Sequence, residues 1–274
     1  MKFTTAKTVK HLTIAVIAVL LSTFWPRKNK HVPVHIRDYP EILSSDTLYA
    51  VTEYNSISFY AESSSISGFH YDLVNLFARD KGLTLKITPE MSFEKRLQGL
   101  NDGTYNIIAY GIPLTYEWKD SLLLTTPITL SKQILVQRKP EYDSTFTYIR
   151  SQINLANKTL YVEKGSPSIL RIRNIEDEIA DTIYINEVEK YGSEQIMAMV
   201  AHGDINYAVI DENIARASID SFPQLDITTG ISFTQFYGWG INKQSPILLD
   251  SLNSWFEGFT KTREYKRLKE KYLK

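Results

Sequence analysis

Two well-separated stretches of this chain spell the same structural step. LQGLNDGTYNIIAYG (97–111) and IMAMVAHGDINYAVID (196–211) each read as an apolar helix, a glycine turn, an asparagine and a buried strand. A unit used twice points to strand–helix alternation carried through two lobes, and the remaining pattern agrees. TLYAVTE (47–53) reads as a strand, and residues 70–81 place Leu73, Val74, Leu76 and Phe77 on one helical face before Gly82. LTLKI (83–87) alternates like a strand, Ser92 caps a helix carrying Phe93, Leu97 and Leu100, and KQILVQRK (132–139) is a strand. A second set follows the polar stretch 141–156. TLYVEKG (159–165) runs into a helix start at Ser166-Pro167, and TIYINEV (182–188) is a strand. Ser193 then caps EQIMAMVAH, Gly203 ends it, and NYAVIDE (206–212) is buried. LDITT (225–229) and TQFYGWGI (234–241) are further strands, before helices at 247–261 and 263–273. The expected class is α/β, with each lobe a mostly parallel sheet flanked by helices. In such sheets the ligand crevice lies off the carboxyl ends of the strands.

The 274 residues suit two lobes of roughly 100 to 130 residues each. Lys plus Arg and Asp plus Glu both number 31, yet residues 1–30 hold six basic residues and no acidic one. The remainder therefore carries 31 − 6 = 25 basic against 31 acidic residues, a net charge of −6. An acidic folded part argues against nucleic acid as a partner. The chain has no cysteine, which excludes disulfides, zinc–thiolate sites, iron–sulfur clusters, a cysteine nucleophile and the lipid-bearing cysteine of a lipoprotein.

Lys2, Lys7 and Lys10 precede the uncharged apolar run LTIAVIAVLLSTFW (12–25). A basic region before an apolar run of this length is an export signal, and a free-standing membrane span would want about 20 apolar residues. No A-x-A-like cleavage site follows Leu21, and Arg27, Lys28 and Lys30 stand just past the run. A cleaved signal and a retained inner-membrane anchor both remain open. The expected location is the periplasm or cell envelope.

Signs of catalysis are sparse. His11, His31, His35, His70 and His202 make no H-E-x-x-H pair, and G-x-S-x-G, G-x-x-x-x-G-K-[ST] and G-x-G-x-x-G are all missing. Acid pairs such as Glu176/Asp177 and Glu187/Glu189 read as solvated faces rather than a glycosidase dyad. The expectation is no enzyme, no metal and no cofactor.

The run VTEYNSISFYAESSSISGFHYDLVNLFARDKGLTLKI, with NDGTYNIIAYGIPLT, SKQILVQRK, VEKGS, HGDINYAVIDENIA and REYKRLKEKYL, resembles the family 3 bacterial extracellular solute-binding proteins. It is similar above all to the substrate-binding-like module at the front of membrane-bound lytic transglycosylase F. The catalytic domain that follows that module there has no counterpart up to Lys274. The resemblance implies a two-lobed type II periplasmic-binding fold. Its expected division is 1–30 signal peptide or membrane anchor, 31–44 linker, 45–134 plus 238–274 lobe one, and 135–237 lobe two. Strands near 133–138 and 235–240 would cross between the lobes as the hinge. It also implies a non-catalytic protein, a monomer, clasping an amino-acid-like, peptide-like or muropeptide-like ligand for uptake with an ABC-type permease. The alternative is a membrane-tethered regulator of a cell-wall enzyme.

The family's site residues carry over one by one. Tyr54, Asn55, Ser56 and Phe59 match the first-strand loop that gives an aromatic wall. Tyr110, Gly111, Pro113 and Thr115 match the segment after the glycine turn. Gly165-Ser166 match the amides that cradle an anion, and Asp211 matches the acid that receives the ligand amine. Trp118 stands where amino-acid-binding members have the arginine that forks the ligand carboxylate, and an indole cannot supply that fork. Each has a second reading. Asp211, Thr115 and Ser166 are natural helix caps, Trp118 can pack on Leu122 and Leu124, and Phe59 and Tyr60 alternate so that one faces inward. Without the fork, free amino acids should bind poorly and a peptide or muropeptide better.

Overall fold

The computed structural model describes residues 35–62 and 65–273. The export segment expected at 1–30 lies outside the described residues. Among those described, no helix is long and apolar enough to cross a membrane.

The chain enters lobe one through a short helix, α1 (Tyr39–Ser44). Residues 31–44 were expected to be linker, but from His35 on the segment is part of the lobe. Ile42 is fully buried, and Asp38 caps α1 through the Tyr39 amide at 2.7 Å. Strands β1 (Thr47–Thr52), β2 (Tyr60–Glu62) and β3 (Ser65–Ser67) follow, with β2 and β3 pairing antiparallel. Helix α2 (Phe69–Asp80), β4 (Thr84–Pro89), α3 (Phe93–Asn101) and β5 (Ile107–Pro113) complete the first strand–helix alternation. As the spacing predicts, α2 buries Leu73, Val74, Leu76 and Phe77, and the Ser92 hydroxyl caps α3 at the Lys95 amide. At Gly68, φ is +143° and an added Cβ would stand 2.4 Å from the Ser58 carbonyl oxygen. Only glycine lets α2 begin so close to the 55–59 turn.

Short strands β6 (Leu123–Leu124) and β7 (Thr129–Ser131) lead to the crossing into lobe two at Lys132. There the chain forms β8 (Gln133–Arg138), β9 (Thr159–Glu163), α4 (Ser168–Ile179), β10 (Tyr184–Val188), α5 (Ser193–His202), β11 (Tyr207–Asp211), α6 (Glu212–Ser218) and β12 (Leu225–Asp226). It returns through β13 (Gln235–Ile241) and closes with α7 (Pro246–Phe259) and α8 (Arg263–Tyr272) on lobe one. The strand expected over 225–229 stops at Asp226, because the Asp226 carboxylate takes the Thr228 amide at 3.2 Å and turns the chain.

The two sheets share one design. Lobe one orders its strands β4-β1-β5-β13-β6, with β7 also on β13, and lobe two orders them β10-β9-β11-β8-β12. β1 runs parallel to β4 and β5, and β9 parallel to β10 and β11, while β13 and β8 run antiparallel to β5 and β11. This is the type II periplasmic-binding fold. Helices cover both faces of the lobe-two sheet, so alternate residues of one strand enter different cores. Tyr207 and Val209 join Leu160 and Ile172 on one side, and Ala208 and Ile210 join Met197 and Val200 on the other. That is why β11 reads as an unbroken apolar run.

Candidate functional site

The carboxyl ends of β1, β5, β9 and β11 converge between the lobes, and the residues there pair with one another. Arg96, from α3 of lobe one, is completely buried. Its apolar stripe placed it there: positions 93, 96, 97 and 100 are one helical face. One terminal nitrogen, Nη2, lies 2.6 Å from Glu163 at the end of β9 and 3.5 Å from Glu53 just past β1. The other, Nη1, donates to the Glu90 carbonyl at 2.6 Å. The guanidinium carbon sits 4.5 Å from the Tyr110 ring centre and 5.3 Å from that of Phe93. Burial, with Glu53 alongside, pushes the Glu163 carboxyl well above the ordinary range, against the pull of Arg96. Arg96 is itself held above its usual value, because Glu163 and Glu53 outweigh the burial that opposes its charge.

Further bonds cross the cleft. The Ser193 amide at the start of α5 donates to Glu53 at 2.9 Å, and the Ser56 amide donates to Glu194 at 2.8 Å. Ser193 was expected to cap α5. Gly192 holds the cap position instead, and Glu53 of the opposite lobe satisfies the first-turn amide. At the rim, Lys164 pairs with Glu94 at 3.0 Å.

Among the described residues, two small cavities lie between the lobes, each of about 20 Å³, about the size of one water molecule. Tyr110, Gly111 and Asp211 border both. The first adds His70, Tyr237 and Ile57, the second Gln133, Glu163 and Ser166, and neither has a lysine or arginine in its wall. Roomier depressions, of about 530 Å³ around Asn157 and Asn206 and about 470 Å³ around Asp250 and Asn253, are open to solvent. The former gathers at the amino ends of β9 and β11, opposite the crevice.

Asp211 closes β11 and caps α6 through Oδ1, which accepts the Asn213 amide at 2.9 Å. Its Oδ2 is shut off from solvent and has no partner within ordinary hydrogen-bond reach among the described residues. Burial raises the carboxyl from 3.8 to about 6, although Ser131, Asn213 and Tyr237 pull it the other way. His70 is buried, and desolvation lowers it to about 3, so it is neutral. Its Nδ1 accepts the Trp239 indole N–H at 2.9 Å, which leaves the proton on Nε2, on the Gly111 side. Gln133 of lobe two donates to the Tyr237 hydroxyl of lobe one at 2.9 Å.

The structure therefore gathers Tyr110, Gly111, Ser166 and Asp211 at the cavities. Ser56 lies at the rim on Glu194. Asn55 Oδ1 accepts the Ile57 and Ser58 amides, and its buried Nδ2 has no partner among the described residues. Phe59 is buried edge-on between Tyr54 and Tyr71, and Tyr54 is 40% exposed. The Gly165 amide is taken by Glu187 at 2.9 Å. Pro113 ends β5 opposite Tyr237, and Thr115 precedes a short 3-10 turn without capping it. Trp118 lies edge-on to Phe93, 5.6 Å between ring centres. None of Pro113, Thr115 and Trp118 borders either cavity. Sequence reading missed Arg96, Glu53, Glu163 and His70. A charged residue inside an apolar helical stripe, and acids at the carboxyl ends of two strands, were the signals for the first three. His70 carried none. No cluster of described residues has the makeup of a metal site.

Comparison with known proteins agrees with this class of two-lobed binding fold. The family model of bacterial extracellular solute-binding proteins, family 3, matches residues 48–274, and the chain belongs to that family. A membrane-bound lytic murein transglycosylase F from Alteromonas mediterranea is 26% identical over 241 residues, 86% of this chain and 50% of that relative. The chain thus spans about half the length of the curated relatives it matches. A mutant of ArgBP from T. maritima superposes with a TM-score of 0.74 at 26% identity, covering 85% of this chain and 97% of that one. An ancestral amino acid-binding protein, a precursor of cyclohexadienyl dehydratase, gives a TM-score of 0.71 at 21% identity, covering 86% and 99%.

Proposed function

We infer that this is a non-catalytic binding protein of the cell envelope that closes its two lobes on a small amino-acid-like or peptide-like solute bearing a cationic amine. The observation that carries this reading is Asp211, whose Oδ2 is a buried, unpartnered acceptor at the meeting of both lobes. A buried carboxylate without a partner is costly, and an ammonium group supplies what it lacks. A solute that favours the closed form shifts the lobes towards it by its differential affinity.

The other end of the solute is neutral. The cavity walls hold two acids and no lysine or arginine, Arg96 is committed to Glu163, and Lys164 pairs with Glu94. A free α-carboxylate would be desolvated beside acids, whereas an amide inside a peptide or muropeptide carries no such charge. Titration calorimetry with the free amino acids and with short muropeptides tests this. The expected result is tighter binding of a peptide, weakened more by Asp211→Asn than by Trp118→Arg. Micromolar binding of a common free amino acid would overturn it.

A second reading is favoured by the curated relatives, in which this family's domain accounts for only about half of a membrane-bound lytic transglycosylase. The module would there sense wall fragments and regulate a wall-processing enzyme, in place of delivering solute to an ABC-type permease. A retained segment 12–25 would tether it to the inner membrane. Amino-terminal sequencing of the mature protein separates the two: a start near residue 23 to 30 removes the tether.

A further inference from the structure

The inner half of the cleft holds a guanidinium group by its plane and both terminal nitrogens, while its buried Nε has no partner among the described residues. It offers an aromatic face at 4.5 Å, carboxylates at 2.6 and 3.5 Å from one terminal nitrogen, and a backbone carbonyl at 2.6 Å from the other. Its occupant is the protein's own Arg96, reaching from lobe one to Glu163 of lobe two. We propose that Arg96 is the specificity-determining residue of the cleft, a tethered cation that fills the guanidinium subsite, excludes guanidinium-bearing solutes from it, and ties the lobes together. The inference rests on the reading of the cleft as a solute clasp only for its specificity. The tie between the lobes is a property of the chain itself.

The chemistry supports the assignment. A buried ion pair adds little net stability when intact, because desolvation offsets the attraction, but losing one partner leaves a buried charge uncompensated. Here the loss would be double, since Glu53 and Glu163 would face each other across the cleft. Arg96 cannot be a free fork for a solute carboxylate either, because both terminal nitrogens are engaged. The solute is thereby directed to the half of the cleft bordered by Asp211, His70 and Tyr237.

Chemical rescue tests the assignment. Arg96→Ala leaves a space shaped for a planar cation, so ethylguanidinium should raise its melting temperature by several degrees, saturably and at low millimolar concentration. Ethylammonium should do so less, and the unmodified protein should respond to neither. No saturable gain with ethylguanidinium, or an equal gain in the unmodified protein, overturns the proposal. If Arg96→Ala does not fold, Glu163→Gln is nearly isosteric and removes the carboxylate that Arg96 reaches across the cleft. Amide hydrogen exchange at Ser56 and Ser193, whose N–H groups bond across the cleft, should then quicken about tenfold or more while the β5 and β11 amides are unchanged. Unaltered exchange at both serines also overturns it. Failure here leaves the Asp211 reading standing, because the calorimetric panel reads solute binding and these assays read the tie between the lobes.

Discussion

Replacing Asp211 by asparagine should remove a pH dependence from the stability of the protein. Asparagine keeps the cap on α6, since it serves that position as well as aspartate. What it removes is the titration. Burial raises the Asp211 carboxyl from 3.8 to about 6, so between these values the folded protein holds a proton that the unfolded chain has released. The stability gained from that proton is complete below about pH 3.8 and is lost as the pH rises through about 6. At about 1.4 kcal/mol per pKa unit, the full loss is about 3 kcal/mol, of which about 2 falls between pH 4.5 and pH 7. The stability of Asp211→Asn relative to the unmodified protein should therefore rise by about 2 kcal/mol over that interval. With an m-value of about 3 kcal/mol/M, the gap between their urea midpoints changes by roughly 0.7 M. Urea unfolding of both proteins at several pH values is the assay. Parallel profiles would show a solvated carboxyl. A change of the opposite sign would show one already paired with a cation, and either result refutes the argument from the orphaned Oδ2.

Two other outcomes follow from the same contacts. Asp38 caps α1 and also takes the Ile247 and Leu248 amides at 3.2 and 2.8 Å. Asp38→Ala should cost about 2 kcal/mol, at the upper end for a single cap, and a loss of only a few tenths in urea unfolding would refute the double role. His70 is lowered to about 3 by burial, so its ring nitrogen NMR shifts should stay flat from pH 5 to 8 with the proton on Nε2, and a titration near 6.5 would contradict its placement.

The fold was legible because both lobes are built from local patterns. Glycine turns, a capping serine at 92 and apolar faces on α2 and α3 announce themselves within a dozen residues. Boundaries failed where a tertiary contact decided them. Glu53 of the facing lobe satisfies the first-turn amide at Ser193, the Asp226 carboxylate stops β12, and burial of Ile42 turns an expected linker into a helix of lobe one. The site was half legible. Of the residues the resemblance offered, Asp211, Tyr110, Gly111 and Ser166 border the cavities between the lobes. Trp118 rests on Phe93, because the 116–120 turn directs it to that ring rather than to the cavities. Arg96 was hidden by its own helix, where its neighbours at 93, 97 and 100 gave the apolar pattern and the arginine among them drew no reading of its own.

The central claim is that the two lobes clasp a small cationic solute on Asp211. Native mass spectrometry of the protein purified from its own host, beside the Asp211→Asn variant, tests it most directly. One small-molecule adduct per chain is expected, with a mass in the range of an amino acid derivative or short peptide, retained by the unmodified protein and lost by the variant. A bare chain in both samples, or an adduct held equally by the two, would contradict it.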